Sequence, residues 1–467
     1  MIAMRRAAGL LLAGTCFSLA VPASAQVPQA EAQALRDQIK ALTARLDALE
    51  AQLAARPPAV AASTPPAAPH LANAQGAAPK ASADTTTIGW KGGPQFKSGE
   101  RLFKPKGRIQ WDAGFVSSPP GSNDRGFGMS NEARRIRLGG EGKLGAGFGY
   151  KLELELSDNS VDLVDTFVTY EKGGLLLTLG NHNQFQSLDE LIGDTTGSTM
   201  ERAAFTDAFN FERRLGLSVQ YATGPWLAQA GLFTDDVTAL SNSSDGPNGG
   251  DENNSYGLDG RIVFAPKFGK TQLHFAGSGH WRQLGRLSEA GTRYRQRPYL
   301  HSSNSRVIGT PSLGVTQEAH YGVELAAVRG PWHFAGEGHW LTAYRPGDHD
   351  PTFFGAYAEV GYYLTKGDSR SYAKGIFGTA DPKAPMGGGG IGAVQMNLRY
   401  DYLSLNDGVI QGGKQNGFIG ALVWTPIQYL RFNLNYGYLL YSDVPAATSA
   451  DADFGLHTGG VRVELDF

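Results

Sequence analysis

Cysteine is almost missing from this chain: Cys16 is its only one in 467 residues. Because it sits in a leader that reads as cleaved, the mature protein is expected to have no thiol for disulfides, nucleophilic attack or metal ligation. Charge is also sparse, at 18% Asp, Glu, Lys and Arg with a formal net charge of −2. Without a basic excess there is nothing to hold a phosphate backbone, so nucleic acid is excluded as a partner. Long apolar runs are absent too. The stretch from Leu10 to Ala20 falls short of the ~20 residues a membrane-spanning helix needs, and no later segment qualifies. Nor is there an HExxH, a GxSxG with partners or a phosphate-binding loop, so no catalytic residue, cofactor or metal is expected.

Four segments can be read in what is present. Arg5 and Arg6, the apolar run after them and Ala23-Ser24-Ala25 make a secretory signal over residues 1–25. Residues 26–56 carry Leu35, Ile39, Leu42, Leu46, Leu49 and Leu53, spaced alternately by four and three, the seam of a short coiled-coil helix. Three heptads are too few to be stable alone, which points to an oligomer. Arg56-Pro57-Pro58 ends that helix, and the Ala/Pro-rich stretch over 57–89 reads as an unfolded spacer.

From residue 90 to 467 the period changes to two. Leu430, Phe432, Leu434, Tyr436 and Tyr438 alternate with Arg431, Asn433, Asn435 and Gly437, and Leu152, Leu154 and Leu156 with Lys151, Glu153 and Glu155. The expected strands are 106–116, 132–143, 147–156, 162–171, 175–182, 212–222, 225–234, 254–265, 270–282, 318–329, 331–344, 352–364, 390–405, 415–425, 427–441 and 453–467. Most are long enough to cross a bilayer at a tilt, and 62 glycines with 10% aromatics suit such strands. Tight turns at Gly145-Ala146-Gly147, Gly173-Gly174, Gly224-Pro225, Gly330-Pro331 and Thr425-Pro426 alternate with longer polar loops. Two connections break the alternation: 157–161 is short for an outer loop and 366–389 long for an inner turn. The fold class is therefore all-β, a 16-stranded antiparallel transmembrane β-barrel in the outer membrane, preceded by the short coiled-coil helix.

Several fragments resemble the phosphate-selective porins O and P. They are Arg134-Arg135-Ile136-Arg137-Leu138 with Glu141-Gly142-Lys143-Leu144, Leu177-Thr178-Leu179-Gly180-Asn181, Ser187-Leu188-Asp189-Glu190-Leu191, Met200-Glu201-Arg202-Ala203 and Arg213-Arg214-Leu215-Gly216. Leu405-Asn406-Asp407-Gly408 and Gly412-Gly413-Lys414-Gln415-Asn416, expected in the seventh loop, add to these. The resemblance implies a trimeric porin whose third loop, here 183–211, narrows the channel, with basic side chains guiding anions. By position it marks Arg134, Arg135, Arg137, Arg202, Arg213 and Arg214. Arginine suits the task because it stays charged and its planar fork matches oxyanions.

Strict alternation puts Arg135 and Arg137 on the lumen face with Gly139 and Glu141, and Arg134 on the face of Ile136 and Leu138. The same argument points Arg214 inward and leaves Arg213 at the rim. The family's lysine and proline after Gly-Asn are replaced by Asn183 and Phe185, so a cation is missing there. His182 can substitute only when protonated. Inward faces also mix Arg108, Lys151, Arg261, Arg399, Arg431 and Arg462 with Glu324, Glu337, Asp401, Glu464 and Asp466. The expectation is passive diffusion of small, preferentially anionic solutes, phosphate or polyphosphate among them, through a homotrimer embedded in outer-membrane lipid. Its alternatives are a general or sugar-acid porin, an outer-membrane enzyme built from the ten histidines, and a tether reaching the cell wall through an N-terminal periplasmic stalk.

Overall fold

The computed structural model describes residue 40 and residues 85–157, 161–235, 237, 255–284, 291–445, 448–449 and 451–467. The chain divides into two units, Met1–Ala81 and Ser82–Phe467. The expected signal, the coiled-coil helix apart from Lys40, and the spacer up to residue 84 lie outside the described residues.

Sixteen strands form the barrel: β1 (Arg101–Val116), β2 (Gly128–Gly145), β3 (Phe148–Glu155), β4 (Asp162–Lys172), β5 (Leu175–Asn183), β6 (Arg213–Thr223), β7 (Trp226–Phe233) and β8 (Tyr256–Phe264) in the first half. The second half is β9 (Thr271–Gln283), β10 (Gln317–Arg329), β11 (Trp332–Tyr344), β12 (Thr352–Tyr363), β13 (Ala393–Asp407), β14 (Ile410–Ile427), β15 (Leu430–Ser442) and β16 (Phe454–Asp466). Each pairs antiparallel with its sequence neighbours. β16 then closes on β1, with Arg462 opposite Asp112. Closure removes the sheet edge that hydrocarbon cannot solvate.

Burial along a strand is inverted relative to a water-soluble sheet. On β15 the polar Arg431 and Asn433 are buried, while Leu434 and Tyr436 are 54% and 52% exposed. The same apolar outer face carries Trp111, Leu138, Ile262, Leu325 and Leu398, all more than half exposed. Such a surface is stable only in contact with lipid.

Three connections do not stay outside. Residues 184–212, the third loop, fold into the lumen and carry two short helices, α1 (Leu188–Leu191) and α2 (Ala204–Ala208). Ser187 caps α1 by accepting from Glu190 N at 3.2 Å, and donates its own hydroxyl to Glu337 at 2.8 Å. Glu337 on β11 also accepts the amides of Leu188 and Asp189 at 2.9 and 2.7 Å. On the far wall, Ala204 N donates to Asp401 at 3.1 Å and Met200 N to Asn435 at 3.0 Å. The loop's apolar side, led by Leu188, Phe205 and Phe209, packs with Tyr294, Leu300 and Ile308 of the loop between β9 and β10. Burying a side chain such as Phe205 contributes about 1.5–3 kcal/mol.

The third inward segment is the β12–β13 connection, whose length the two-period reading left unexplained. It contains a hairpin of Ser371–Ala373 with Ile376–Gly378. Phe377 is 1% exposed and lies beneath the guanidinium of Arg370, 4.4 Å from the ring centroid. Tyr372 OH meets His274 Nδ1 at 2.6 Å, and Arg261 donates to Gly375 O at 2.9 Å.

Three boundaries differ from expectation. A strand at Thr87–Lys91 begins inside the expected spacer and pairs with Gly93–Ser98, which continues onto β1. The turn expected at Thr425-Pro426 falls instead at Gln428-Tyr429. Pro426 has no amide to give a ladder, and it sits in a bulge where the β14–β15 register skips from Trp424 to Ile427. The residues assigned to a seventh loop belong to the β13–β14 hairpin, which turns on Gly408-Val409. A left-handed Gly408, with φ of 56°, permits that tight turn.

Candidate functional site

The third loop leaves a cavity of about 490 Å³ on its polar side, against the wall of β2 to β6 and β16. Arg134, Arg135, Arg137, Arg202, Arg213, Arg297 and Arg462 line it, together with His301 and eight carboxyl groups. The opposite side of the loop is packed, so the loop's two faces separate an open, charged cavity from a tightly packed core.

A β-bulge decides how β2 presents its arginines. The register to β1 pairs Gln110 with Arg135 and then Trp111 with Ala133, leaving Arg134 as the extra residue. A bulge breaks period-two alternation and re-aims the unpaired side chain. Arg134 therefore lines the cavity, 3.7 Å from Glu201, rather than joining Ile136 and Leu138 on the outer face. Arg135 and Arg137 point inward as alternation requires.

Four guanidiniums converge on one carboxylate. Asp194 Oδ2 lies 3.3 Å from Arg108, 3.0 Å from Arg135 and 3.0 Å from Arg137, and its Oδ1 lies 3.1 Å from Arg202. Burial by itself would raise the Asp194 pKa, but the surrounding arginines hold it well below the usual carboxylate range. Arg137 also meets Glu155 at 2.7 Å, and Arg135 donates to Gln110 at 2.8 Å. Arg202 is fixed further by donating to the carbonyls of Asp189, Glu190 and Ile192.

The remaining candidates are placed differently. Arg213, expected at the rim, lines the cavity and pairs with Asp165 at 2.6 Å. Arg214 is enclosed by the wall, pairs with Glu212 at 3.1 Å and does not line the cavity. His182 is also withdrawn from it: Nε2 meets Ser218 Oγ at 2.7 Å, Nδ1 meets Gly180 O at 2.8 Å, and its ring packs on Phe233.

Sequence reasoning did not select Asp194, Arg297 or His301. Asp194 had a visible cue in its flanking Gly193 and Gly197, but nothing local to it reveals arginines more than fifty residues away. Arg297 and His301 belong to a connection that reads as an outer loop but enters the lumen on buried residues such as Tyr294, Leu300 and Ile308.

A serine, histidine and glutamate do meet in the lumen, at Ser198, His333 and Glu359, yet not as a nucleophile with its base. Ser198 Oγ at 3.4 Å and Glu359 Oε1 at 3.5 Å both face the same ring nitrogen, His333 Nε2, which also has Arg370 at 3.1 Å. Ser198 donates to Glu359 at 2.7 Å. A catalytic triad needs the acid on the other ring nitrogen, orienting the imidazole towards the hydroxyl. Among the described residues, no cluster of three or more His, Cys, Asp or Glu is arranged to hold a metal.

A closed sixteen-stranded barrel with a lipid-facing apolar exterior, a charged lumen and an infolded third loop defines the porin class of outer-membrane channels. The family model described as phosphate-selective porin O and P matches residues 103–467, and the chain belongs to that family. An uncharacterised protein of Caulobacter vibrioides is 61% identical over 402 residues, covering 86% of this chain and 81% of its own length. The anion-selective porin from Comamonas acidovorans superposes with a TM-score of 0.51 at 13% identity, over 79% of this chain and all of the other. The high-pH structure of Pseudomonas putida OprB does so with a TM-score of 0.50 at 10% identity, over 79% of this chain and 94% of the other. At these identities the structural likeness establishes the fold.

Proposed function

We propose that the protein lets small solutes diffuse passively across the outer membrane with a preference for anions, through the cavity between the third loop and the wall of β2 to β6 and β16. The observation that carries this reading is the convergence of Arg108, Arg135, Arg137 and Arg202 on one point beside that cavity. Several guanidinium forks aimed at one place suit the oxygens of a phosphate or carboxylate, and rings of such side chains favour anions over cations. Arg134 and Arg213 add two more guanidiniums to the cavity lining, whereas Arg214 stands outside it. The selectivity of the Comamonas acidovorans porin for anions points the same way.

Reversal potentials across planar bilayers under a salt gradient test the proposal, and clear cation preference overturns it. The interleaved carboxylates, and Asn183 and Phe185 where the family carries lysine and proline, favour a general or sugar-acid porin over one dedicated to phosphate. Block by phosphate, pyrophosphate and a sugar acid at equal concentration separates the two. The working unit is proposed to be a homotrimer, with the leader cleaved after Ala25 and the segment 26–56 serving as a periplasmic stalk. Native mass spectrometry of the detergent-extracted protein checks both the stoichiometry and the mature N-terminus.

A further inference from the structure

The seat formed by four arginines is occupied by a carboxylate of the protein itself. Two oxygens of Asp194 receive Arg108, Arg135, Arg137 and Arg202, a donor array that would equally suit a small free oxyanion. Three of these cations have a further carboxylate: Asp466 at 3.5 Å from Arg108, Glu155 at 2.7 Å from Arg137, and Glu190 at 3.4 Å from Arg202. Arg135 has instead the neutral Gln110, so Asp194 is the acid that compensates it.

Asp194 is carried by the loop, whereas Arg108, Arg135 and Arg137 belong to the barrel wall. It stands in a turn closed by Thr196, whose amide and hydroxyl both donate to Gly193 O, at 2.8 and 2.7 Å. The acid and most of the cations it neutralises thus come from separate elements that meet only when the loop folds inward.

We propose that Asp194 sets the selectivity of the channel by acting as a tethered internal anion, which competes with small oxyanions for the arginine seat. A solute must displace or share the carboxylate before it can use the donors. Its binding is weakened and its residence shortened, as conduction requires. The same charge lowers the electrostatic barrier that the arginines raise against cations. This inference rests on the cavity being the conducting path.

The test is bilayer recording of the purified full-length protein, its Asp194→Asn variant and the double variant Asp194→Asn with Arg135→Gln, each checked for folding by its heat-modifiable gel mobility. Loss of the carboxylate is expected to raise the anion-to-cation permeability ratio about threefold and to lower the half-blocking concentration of inorganic phosphate about tenfold. The double variant is expected to return towards the parent. Unchanged or reduced anion preference in Asp194→Asn overturns the proposal. So does failure of both Asp194→Asn and Asp194→Ser to fold while Asp194→Glu folds, since the carboxylate would then be a structural clamp. Cation preference in the parent would instead refute the anion-porin reading, while the shift between parent and variant still decides the role of Asp194.

Discussion

The two sides of the third loop face the same barrel interior and have been built by opposite rules. Towards β8 to β13 the lumen is a core: Phe205 is fully buried and stacks on His339 at 4.5 Å, and even the charges there are sealed, the side chains of Arg261 and Glu324 being 0% exposed and 2.6 Å apart. Towards β2 to β6 and β16 the charges border open volume, with the Arg135 and Arg202 side chains 10% and 27% exposed. A closed barrel of this size would be a wide tube if all its polar inward residues met water. Filling one half with loops narrows the path and fixes the cations of the other half in place.

The comparison breaks most sharply where a sealed charge loses its partner. Arg261→Met leaves Glu324 buried with His274 alone, and is expected to cost about 3–5 kcal/mol, read as a lower midpoint of thermal unfolding in detergent. Pairing it with Glu324→Leu should restore most of that loss. Phe205→Ala comes next, at about 3 kcal/mol from the cavity it leaves. Because it loosens the loop's anchorage, it should also raise single-channel conductance, whereas the Arg261 variant should raise it less.

On the open side the effects move from stability to selectivity. Arg137→Gln should reduce the anion-to-cation permeability ratio by a factor of about five, near 1 kcal/mol, with a smaller fall in unfolding midpoint than either core variant. If it instead behaves like the parent in reversal potential, the open half is not the ion path. The smallest effect is a pH dependence. Burial raises the Glu190 carboxyl to about 7, with Arg202 and Arg213 opposing the rise. It is therefore neutral below that pH and anionic above it, so anion preference should strengthen modestly as pH falls from 8 to 6. Because the folded value lies above the ordinary carboxylate one, this group's contribution to stability also declines as pH rises between the two. Glu190→Gln should remove the selectivity change in that window.

How far the sequence could be read follows from the range of each determinant. Strands such as β15 were legible because lipid and water impose alternation residue by residue, and Arg135 and Arg137 inherited their direction from it. Arg134 and the Thr425-Pro426 boundary were misread because a bulge shifts the phase without changing composition. The β12–β13 connection was visible as an anomaly of length, but its inward fold depends on Phe377 and Arg370 finding partners on other strands.

The amino-acid order alone determined a closed antiparallel barrel, its strand number and the family to which it belongs, because the bilayer allows one way to satisfy a spanning sheet's backbone. Which half of the lumen is filled, and that Asp194 meets four arginines from three elements, was decided by tertiary structure. Those contacts join residues far apart in the chain, and only the closed wall and the infolded loop bring them within reach.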